Sequence, residues 1–170
     1  MDLAAIVRDV PDFPVKGVLF KDITPLLRDR EAYRQAVNQL AEHYRGQGID
    51  QVLAIESRGF IFGAPLAIEL GAGFVPIRKP GKLPSETTSV EYTLEYGTNS
   101  LEIHTDALRQ GERVLVVDDL LATGGSAKAA IELAERLGAT VVGAAFVIEL
   151  LFLKGVDRLA GYPVYSLIKF

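Results

Sequence analysis

Two adjacent carboxylates and the glycine-rich turn that follows them are the residues of this sequence best suited to chemistry. Asp118 and Asp119 come directly after the apolar run 114–117, and the turn 122–126 reads Ala-Thr-Gly-Gly-Ser. Glycines let a backbone curl close to a ligand, and free N–H groups at the start of a following helix point at it. The pattern predicts a cradle for a phosphate monoester.

The two aspartates need a partner other than that phosphate, because like charges repel. Adjacent carboxylates suit the two hydroxyls of a ribose, or a Mg2+ ion carried by a polyphosphate. A plainer alternative is that Thr123 and Ser126 cap the helix while Asp118 and Asp119 end a strand in solvent. The turn has neither the Walker A spacing nor a Gly-x-Gly-x-x-Gly spacing.

A second strand–loop–helix unit carries an arginine at its turn. The apolar run 52–55 leads into Glu56-Ser57-Arg58-Gly59, and an apolar helical pattern follows over 60–70. A cation at a helix start is unfavourable unless an anion joins it, since the helix dipole opposes it. Arg58 is therefore a candidate anion ligand, or else an ordinary surface arginine.

The segment after the third strand, 73–77, concentrates positive charge. Arg78, Lys79 and Lys82 fall within five residues, interleaved with proline and glycine. A mobile lid that brings charge to a polyphosphate and excludes water would have this composition, and so would a solvated loop. The alternating stretch 90–97 predicts a strand of that lid, with Glu95 on its polar face.

Alternating strands and helices predict an α/β fold with a mostly parallel central sheet flanked by helices, and with both anion loops at strand carboxyl ends. Further strands are expected over 99–104, 140–149 and 164–168, and further helices over 30–46 and 127–137. Near the start, the pattern predicts a short helix over 2–9, an extended arm, and a turn of helix capped by Thr24.

Length and composition limit the classes of protein to which this chain can belong. A chain of 170 residues predicts one domain, and its zero cysteines exclude a disulfide scaffold and fit a reducing cytoplasm. The net charge of -4 argues against nucleic-acid binding driven by global charge. No signal peptide or membrane span is expected, so neither nucleic acid nor membrane is a predicted partner. His43 and His104 are too isolated to suggest a metal cluster.

Three motifs carry a family resemblance. The run 116–126, Val-Val-Asp-Asp-Leu-Leu-Ala-Thr-Gly-Gly-Ser, resembles the phosphoribosyl-pyrophosphate (PRPP) loop of type I phosphoribosyltransferases, and its Leu-Leu-Ala variant is similar to the adenine phosphoribosyltransferases. The stretch 13–25 resembles the amino-terminal hood of that family, and Leu-Glu-Tyr-Gly at 94–97 resembles its lid motif. The chain departs from the pattern at Lys16, where proline is usual, at Lys21, where arginine is common, and at Glu56, where aspartate is usual.

The resemblance implies the type I phosphoribosyltransferase fold in a single domain over 1–170, with a small N-terminal hood over 1–28 and a flexible lid loop over 78–97. It implies transfer of the 5-phosphoribosyl group of PRPP to adenine, giving AMP and pyrophosphate in purine salvage. Mg2+ is expected through the substrate's pyrophosphate, with no metal site of the protein's own. A homodimer is implied as well, with Arg78 reaching the neighbouring active site.

The resemblance also implies roles for individual residues, and a cis peptide between Glu56 and Ser57. The implied catalytic residues are Glu95 and Tyr96, and the implied ligands of the ribose and its 5′-phosphate are Asp118, Asp119, Ala122, Thr123, Gly124, Gly125 and Ser126. The implied pyrophosphate ligands are Glu56, Ser57, Arg58, Arg78, Lys79 and Lys82, and the implied adenine site is Val18, Phe20, Lys21 and Leu121. Two alternatives stay open: transfer to another purine base, and a non-catalytic PRPP-sensing regulator.

Overall fold

A five-stranded parallel sheet forms the centre of the computed structural model, which describes residues 1–93 and 97–170. Its strands are β3 (Gln51–Ile55), β4 (Gly73–Ile77), β7 (Arg113–Leu121), β8 (Thr140–Glu149) and β9 (Val164–Lys169). Their order in the sheet is β4-β3-β7-β8-β9, and every neighbouring pair is parallel. The predicted α/β fold with a mostly parallel sheet is confirmed.

Strand β7 is the middle strand because its side chains are apolar on both faces. Val114 and Val116 pack into one core cluster, whereas Leu115 and Val117 pack into another on the opposite side. All four are fully buried, as expected of a strand covered by helices on both faces. The strand is longer than the predicted run 114–117, because pairing with β8 continues to Leu121.

Helices cover the two faces of the sheet. In the described part of the chain the α-helices are α1 (Thr24–Arg28), α2 (Arg30–Tyr44), α3 (Arg58–Leu70) and α4 (Gly125–Arg136), and short 3₁₀ helices occur at Ala4–Ile6, Leu151–Leu153 and Gly155–Leu159. Apolar residues of α2 and α3 join the cluster around Leu115, and those of α4 join the cluster around Val116. Among the described residues, none of the helices combines the length and the apolarity that crossing a membrane requires.

Two antiparallel strand pairs stand outside the central sheet. The first joins β1 (Arg8–Pro11) to β2 (Leu19–Asp22), and the second joins β5 (Thr87–Thr93) to β6 (Thr98–His104). The predicted helix over 2–9 is therefore wrong: only Ala4–Ile6 is helical, and the chain from Arg8 onward is extended because it pairs with β2.

The predicted cap of α1 is also different. Thr24 is the first residue of the helix and Ile23 is the capping position, which provides no side-chain bond. The Asp22 carboxylate takes that role, since it accepts hydrogen bonds from the Thr24 backbone N–H and hydroxyl, both at 2.9 Å.

Candidate active site

The carboxyl ends of β3 and β7 bring the two predicted anion loops together. The strands are parallel neighbours, with Leu53 opposite Val116 and Ala54 opposite Val117. Strand β3 therefore delivers Glu56 and the start of α3 to the same edge at which β7 delivers Asp118 and Asp119. Ligand sites in open parallel sheets lie at this edge.

An ion pair joins the two loops directly. The Arg58 Nε donates to Asp119 Oδ2 at 2.6 Å, and Asp119 is 6% exposed. The arginine side chain is half exposed, so its guanidinium borders solvent while its carboxylate partner does not. Two candidate ligands of opposite charge, 61 positions apart in sequence, thus balance each other in the site.

Asp118 occupies a different environment from Asp119. Burial, and then the neighbouring charge of Asp119, raise the pKa of Asp118 well above its usual range. Gly59, at the start of α3, makes this close packing possible, because a Cβ at that position would lie 2.9 Å from Asp118 Oδ1. Asp118 Oδ1 also accepts the Asp119 backbone N–H at 2.9 Å. The aspartates lie inside β7 and are not a solvated strand end.

The glycine-rich turn has the geometry expected of an anion cradle. Residues 122–124 form bends between β7 and α4, and Gly124 adopts the left-handed backbone with φ of 85°. A Cβ on Gly124 would lie 2.5 Å from the carbonyl oxygen of Gly155, so glycine is required there by both conformation and space. The capping position of α4 is Gly124, and not Thr123 or Ser126 as the capping alternative would have it.

The antiparallel pair of β1 and β2 places an aromatic ring beside this edge. Phe20, on β2, lies with its ring centroid 5.8 Å from the Arg58 guanidinium carbon. The Phe13 ring packs edge-on against Phe20, with centroids 5.1 Å apart and planes at 69°. Phe20 is only partly buried, so it keeps surface for a further contact.

The other predicted adenine ligands, Val18, Lys21 and Leu121, differ in their exposure and in their contacts. The Lys21 ammonium pairs with Asp9 at 2.6 Å and lies 3.9 Å from the centroid of the Phe170 ring. Val18 is exposed, and its carbonyl accepts the Phe13 N–H. Leu121 is 1% exposed within the core, whereas its neighbour Leu120 keeps partial exposure. A role of these residues in binding a base stays a prediction.

The pyrophosphate candidates form a second charge cluster around Glu56. Its carboxylate accepts hydrogen bonds from Arg78 Nε at 3.1 Å, the Lys79 backbone N–H at 2.8 Å and Lys82 Nζ at 2.9 Å. The peptide between Glu56 and Ser57 is cis, as the resemblance implies. Glu95 and Tyr96, the predicted catalytic pair, lie outside the described residues, as does Leu94.

Sequence reasoning missed two neighbours of the turn. Tyr92, on β5, has a ring carbon 3.2 Å from where a Cβ on Gly125 would lie, and the Arg158 Nη1 lies 3.4 Å from the same point. Tyr92 belongs to a strand that the sequence predicted, whereas Arg158 comes from the 3₁₀ helix Gly155–Leu159. Its place beside the turn depends on long-range packing, and no local pattern indicates it.

Comparison with known proteins decides the family. The family model described as phosphoribosyl transferase domain matches residues 27–163. The adenine phosphoribosyltransferase of Roseiflexus sp. (strain RS-1) is 57% identical over 169 residues, which are 99% of this chain and 98% of that protein. The chain belongs to the adenine phosphoribosyltransferase family.

Solved structures of adenine phosphoribosyltransferases share the fold over nearly the whole chain. The crystal structure from Thermoanaerobacter pseudethanolicus has a TM-score of 0.97 at 55% identity, covering 99% of this chain and 98% of that one. The structure from Saccharomyces cerevisiae, complexed with an imino-altritol bisphosphate and adenine, has a TM-score of 0.92 at 42% identity, covering 98% and 96%. The predicted type I phosphoribosyltransferase fold is thereby confirmed.

Proposed function

We propose that this chain transfers the 5-phosphoribosyl group of PRPP to adenine, giving AMP and pyrophosphate. The observation that carries the proposal is the meeting of three features at one sheet edge: the Arg58–Asp119 pair at 2.6 Å, the turn at Gly124 and the ring of Phe20. They provide, respectively, charge for a pyrophosphorylated ribose, a cradle for its 5′-phosphate and a platform for a flat base. The yeast relative, complexed with adenine and a bisphosphate, supports the same assignment.

The reaction needs positive charge to be stabilised at ribose C1 as pyrophosphate leaves and the base nitrogen attacks. Asp118 and Asp119 bind the ribose hydroxyls and lie on the side where that charge develops. The turn 122–126 holds the 5′-phosphate, with its backbone N–H groups as donors. When PRPP binds, Arg58 exchanges its aspartate partner for the pyrophosphate group of the substrate, which frees Asp119 for the ribose.

The base is held and deprotonated by the hood and the lid. Phe20 stacks on the purine, and Phe13 fixes the tilt of that ring from its edge. Glu95 handles the proton of the purine ring nitrogen, with Tyr96 beside it. When the lid over 78–97 closes, it keeps water from the cation at C1.

Mg2+ enters with the substrate in this proposal. Among the described residues, no group of three or more His, Cys, Asp or Glu side chains is placed to hold a metal ion. The two adjacent carboxylates of β7 are compatible with an ion held mainly by the oxygens of PRPP. When bound, Mg2+ supplies charge that stabilises the pyrophosphate as it leaves.

We also propose a cytoplasmic homodimer with Arg78 serving the neighbouring subunit. The Nε of Arg78 is bonded to Glu56 of its own chain, and its side chain is one-third exposed, so its terminal nitrogens are the part that can reach an outside anion. The absence of cysteine fits a reducing compartment.

Turnover separates the enzyme from a PRPP-sensing regulator. The purified chain is incubated with adenine, PRPP and MgCl2, and both products are quantified by ion-exchange chromatography. The proposal predicts AMP and pyrophosphate in equal amounts, growing with time over many turnovers. Saturable PRPP binding by calorimetry without any product would instead support the regulator.

Replacing the ring of Phe20 tests the base site separately from the PRPP site. Phe20→Leu is expected to raise the KM for adenine about tenfold and to leave the KM for PRPP close to wild type, because base–aromatic stacking contributes about 1–3 kcal/mol and leucine retains part of it. The matched control is Phe74→Leu, which alters another edge-packed ring pair and lies on the second residue of β4, opposite Val52. Steady-state kinetics with each substrate varied in turn checks this. An unchanged adenine KM would remove Phe20 from the base site.

A further inference from the structure

One nearly buried carboxylate ties together the two loops predicted to bind pyrophosphate. The Glu56 side chain is 6% exposed, yet it lies between the end of β3 and the segment 78–82. Both of its oxygens are engaged: Oε1 accepts from Arg78 Nε and from the Lys79 backbone N–H, and Oε2 accepts from Lys82 Nζ. The three donors all belong to the start of the lid segment.

A carboxylate in this position is poorly suited to touch pyrophosphate itself. It offers only acceptors at neutral pH, and so does a pyrophosphate, whose negative charge would repel it. Burial acts to raise the pKa of Glu56, but the hydrogen bonds from Lys82 and Lys79 and the nearby charges of Lys82 and Arg78 lower it overall. Glu56 is therefore ionised at neutral pH and acts through the cations around it.

The two cations are held in different ways. Arg78 is fixed from both sides, because its backbone exchanges two hydrogen bonds with Glu102, at 3.0 and 2.7 Å, while its Nε is bonded to Glu56. Bonding at Nε orients the planar guanidinium and leaves its two terminal nitrogens pointing onward. Lys82 is nearly half exposed and on a flexible stem, so it can leave Glu56 for another anion.

We propose that Glu56 is a positioning residue for pyrophosphate binding: it fixes the guanidinium of Arg78 and holds Lys82 at the site until a pyrophosphate group takes it. This inference rests on the proposed function and assigns different roles in it to Glu56 and Arg58. The loop 56–58 then acts twice, with Arg58 as a direct ligand and Glu56 as the anchor of the lid's cations.

The test removes the charge of Glu56 while keeping its size. Glu56→Gln is expected to raise the KM for PRPP about tenfold and leave the KM for adenine near wild type, since hydrogen bonds to charged groups are the stronger class. Glu56→Asp, which keeps the charge, recovers part of this loss. The matched control is Glu112→Gln, where a carboxylate that also accepts a side-chain and a backbone N–H lies at the opposite end of β7.

A double-mutant cycle shows whether the effect passes through the cations. If Glu56 acts by positioning Arg78 and Lys82, Glu56→Gln adds little once Arg78→Gln and Lys82→Gln are present. If the role of Glu56 were merely structural, Glu56→Gln would lower Tm and raise both KM values together. Its effect would then add to the effects of Arg78→Gln and Lys82→Gln. Either that pattern or an unchanged KM for PRPP overturns the inference.

Calorimetric titration with magnesium pyrophosphate keeps this test separate from the proposed function. Weaker pyrophosphate binding by Glu56→Gln, with unchanged binding by Glu112→Gln, supports the positioning role whether or not the chain turns over adenine. Unaltered pyrophosphate binding overturns it, even in a fully active enzyme. Failure of the wild-type chain to form AMP contradicts the proposed function alone.

Discussion

Replacing both aspartates of the central strand, Asp118→Asn with Asp119→Asn, is expected to lower kcat/KM for PRPP about a thousandfold, as two lost charged hydrogen bonds of about 1.5–3 kcal/mol each imply. Asparagine preserves the shape of both side chains, so the loss reports their charge. Steady-state kinetics at saturating adenine gives the ratio. The control replaces the exposed Asp106 and Asp157 in the same way.

The two single variants are not expected to be equal. Asp119 pairs with Arg58 at 2.6 Å, so Asp119→Asn removes a charge that the site uses. Asp118 instead accepts the Asp119 backbone N–H at 2.9 Å, a hydrogen bond that the side-chain oxygen of asparagine can also accept. Asp119→Asn should therefore lower kcat/KM for PRPP more than Asp118→Asn does. The reverse order would contradict the roles given to the pair.

The double variant, Asp118→Asn with Asp119→Asn, should also lose more of its kcat/KM than Glu95→Gln does. Orientation of bound reactants contributes about 7–11 kcal/mol, whereas general acid–base catalysis contributes about 10²–10⁴-fold, or roughly 3–5 kcal/mol. The same assay compares them. Equal losses, or a larger loss for Glu95→Gln, would show that proton transfer and not the holding of the ribose dominates the rate.

The second large effect is expected at the phosphate turn. Gly124→Ala should raise the KM for PRPP about a hundredfold, because the new Cβ would lie 2.5 Å from the Gly155 carbonyl oxygen and must displace the turn. The strain of a left-handed alanine adds a stability loss of about 1 kcal/mol, seen as a lower Tm.

Gly46→Ala distinguishes the effect of the clash with Gly155 from the effect of the left-handed backbone strain. Gly46 has a φ of 80°, close to the 85° of Gly124, but a Cβ there would meet nothing within 4 Å. It should show the loss of Tm and no change in PRPP kinetics. If Gly124→Ala behaved like Gly46→Ala in both measurements, the turn would not be the phosphate cradle.

The central features of the fold could be predicted because their causes are local. The apolar run 114–117 is buried on both faces, and a helix follows the glycine-rich turn as predicted, although it begins at Gly125 and not at 127. The errors arose where distant pairing decides the conformation. Residues 8–11 form a strand because β2 lies beside them, and β7 extends through Asp118 and Asp119 because β8 continues next to it.

The internal ion pairs of the site could not be predicted for the same reason. The sequence indicates that Arg58 needs an anion, but not that Asp119 supplies it in the free protein. It likewise marks Glu56 as a member of a loop, without showing that its carboxylate faces the segment 78–82. Such contacts depend on how parallel strands bring separate loops to one edge.

The most direct measurement is kcat/KM for each of adenine, hypoxanthine, guanine and xanthine with PRPP and Mg2+. The account predicts AMP from adenine and no comparable turnover of the other three bases. Efficient formation of a different nucleotide, with adenine inactive, would keep the phosphoribosyl transfer but contradict the assignment of the base.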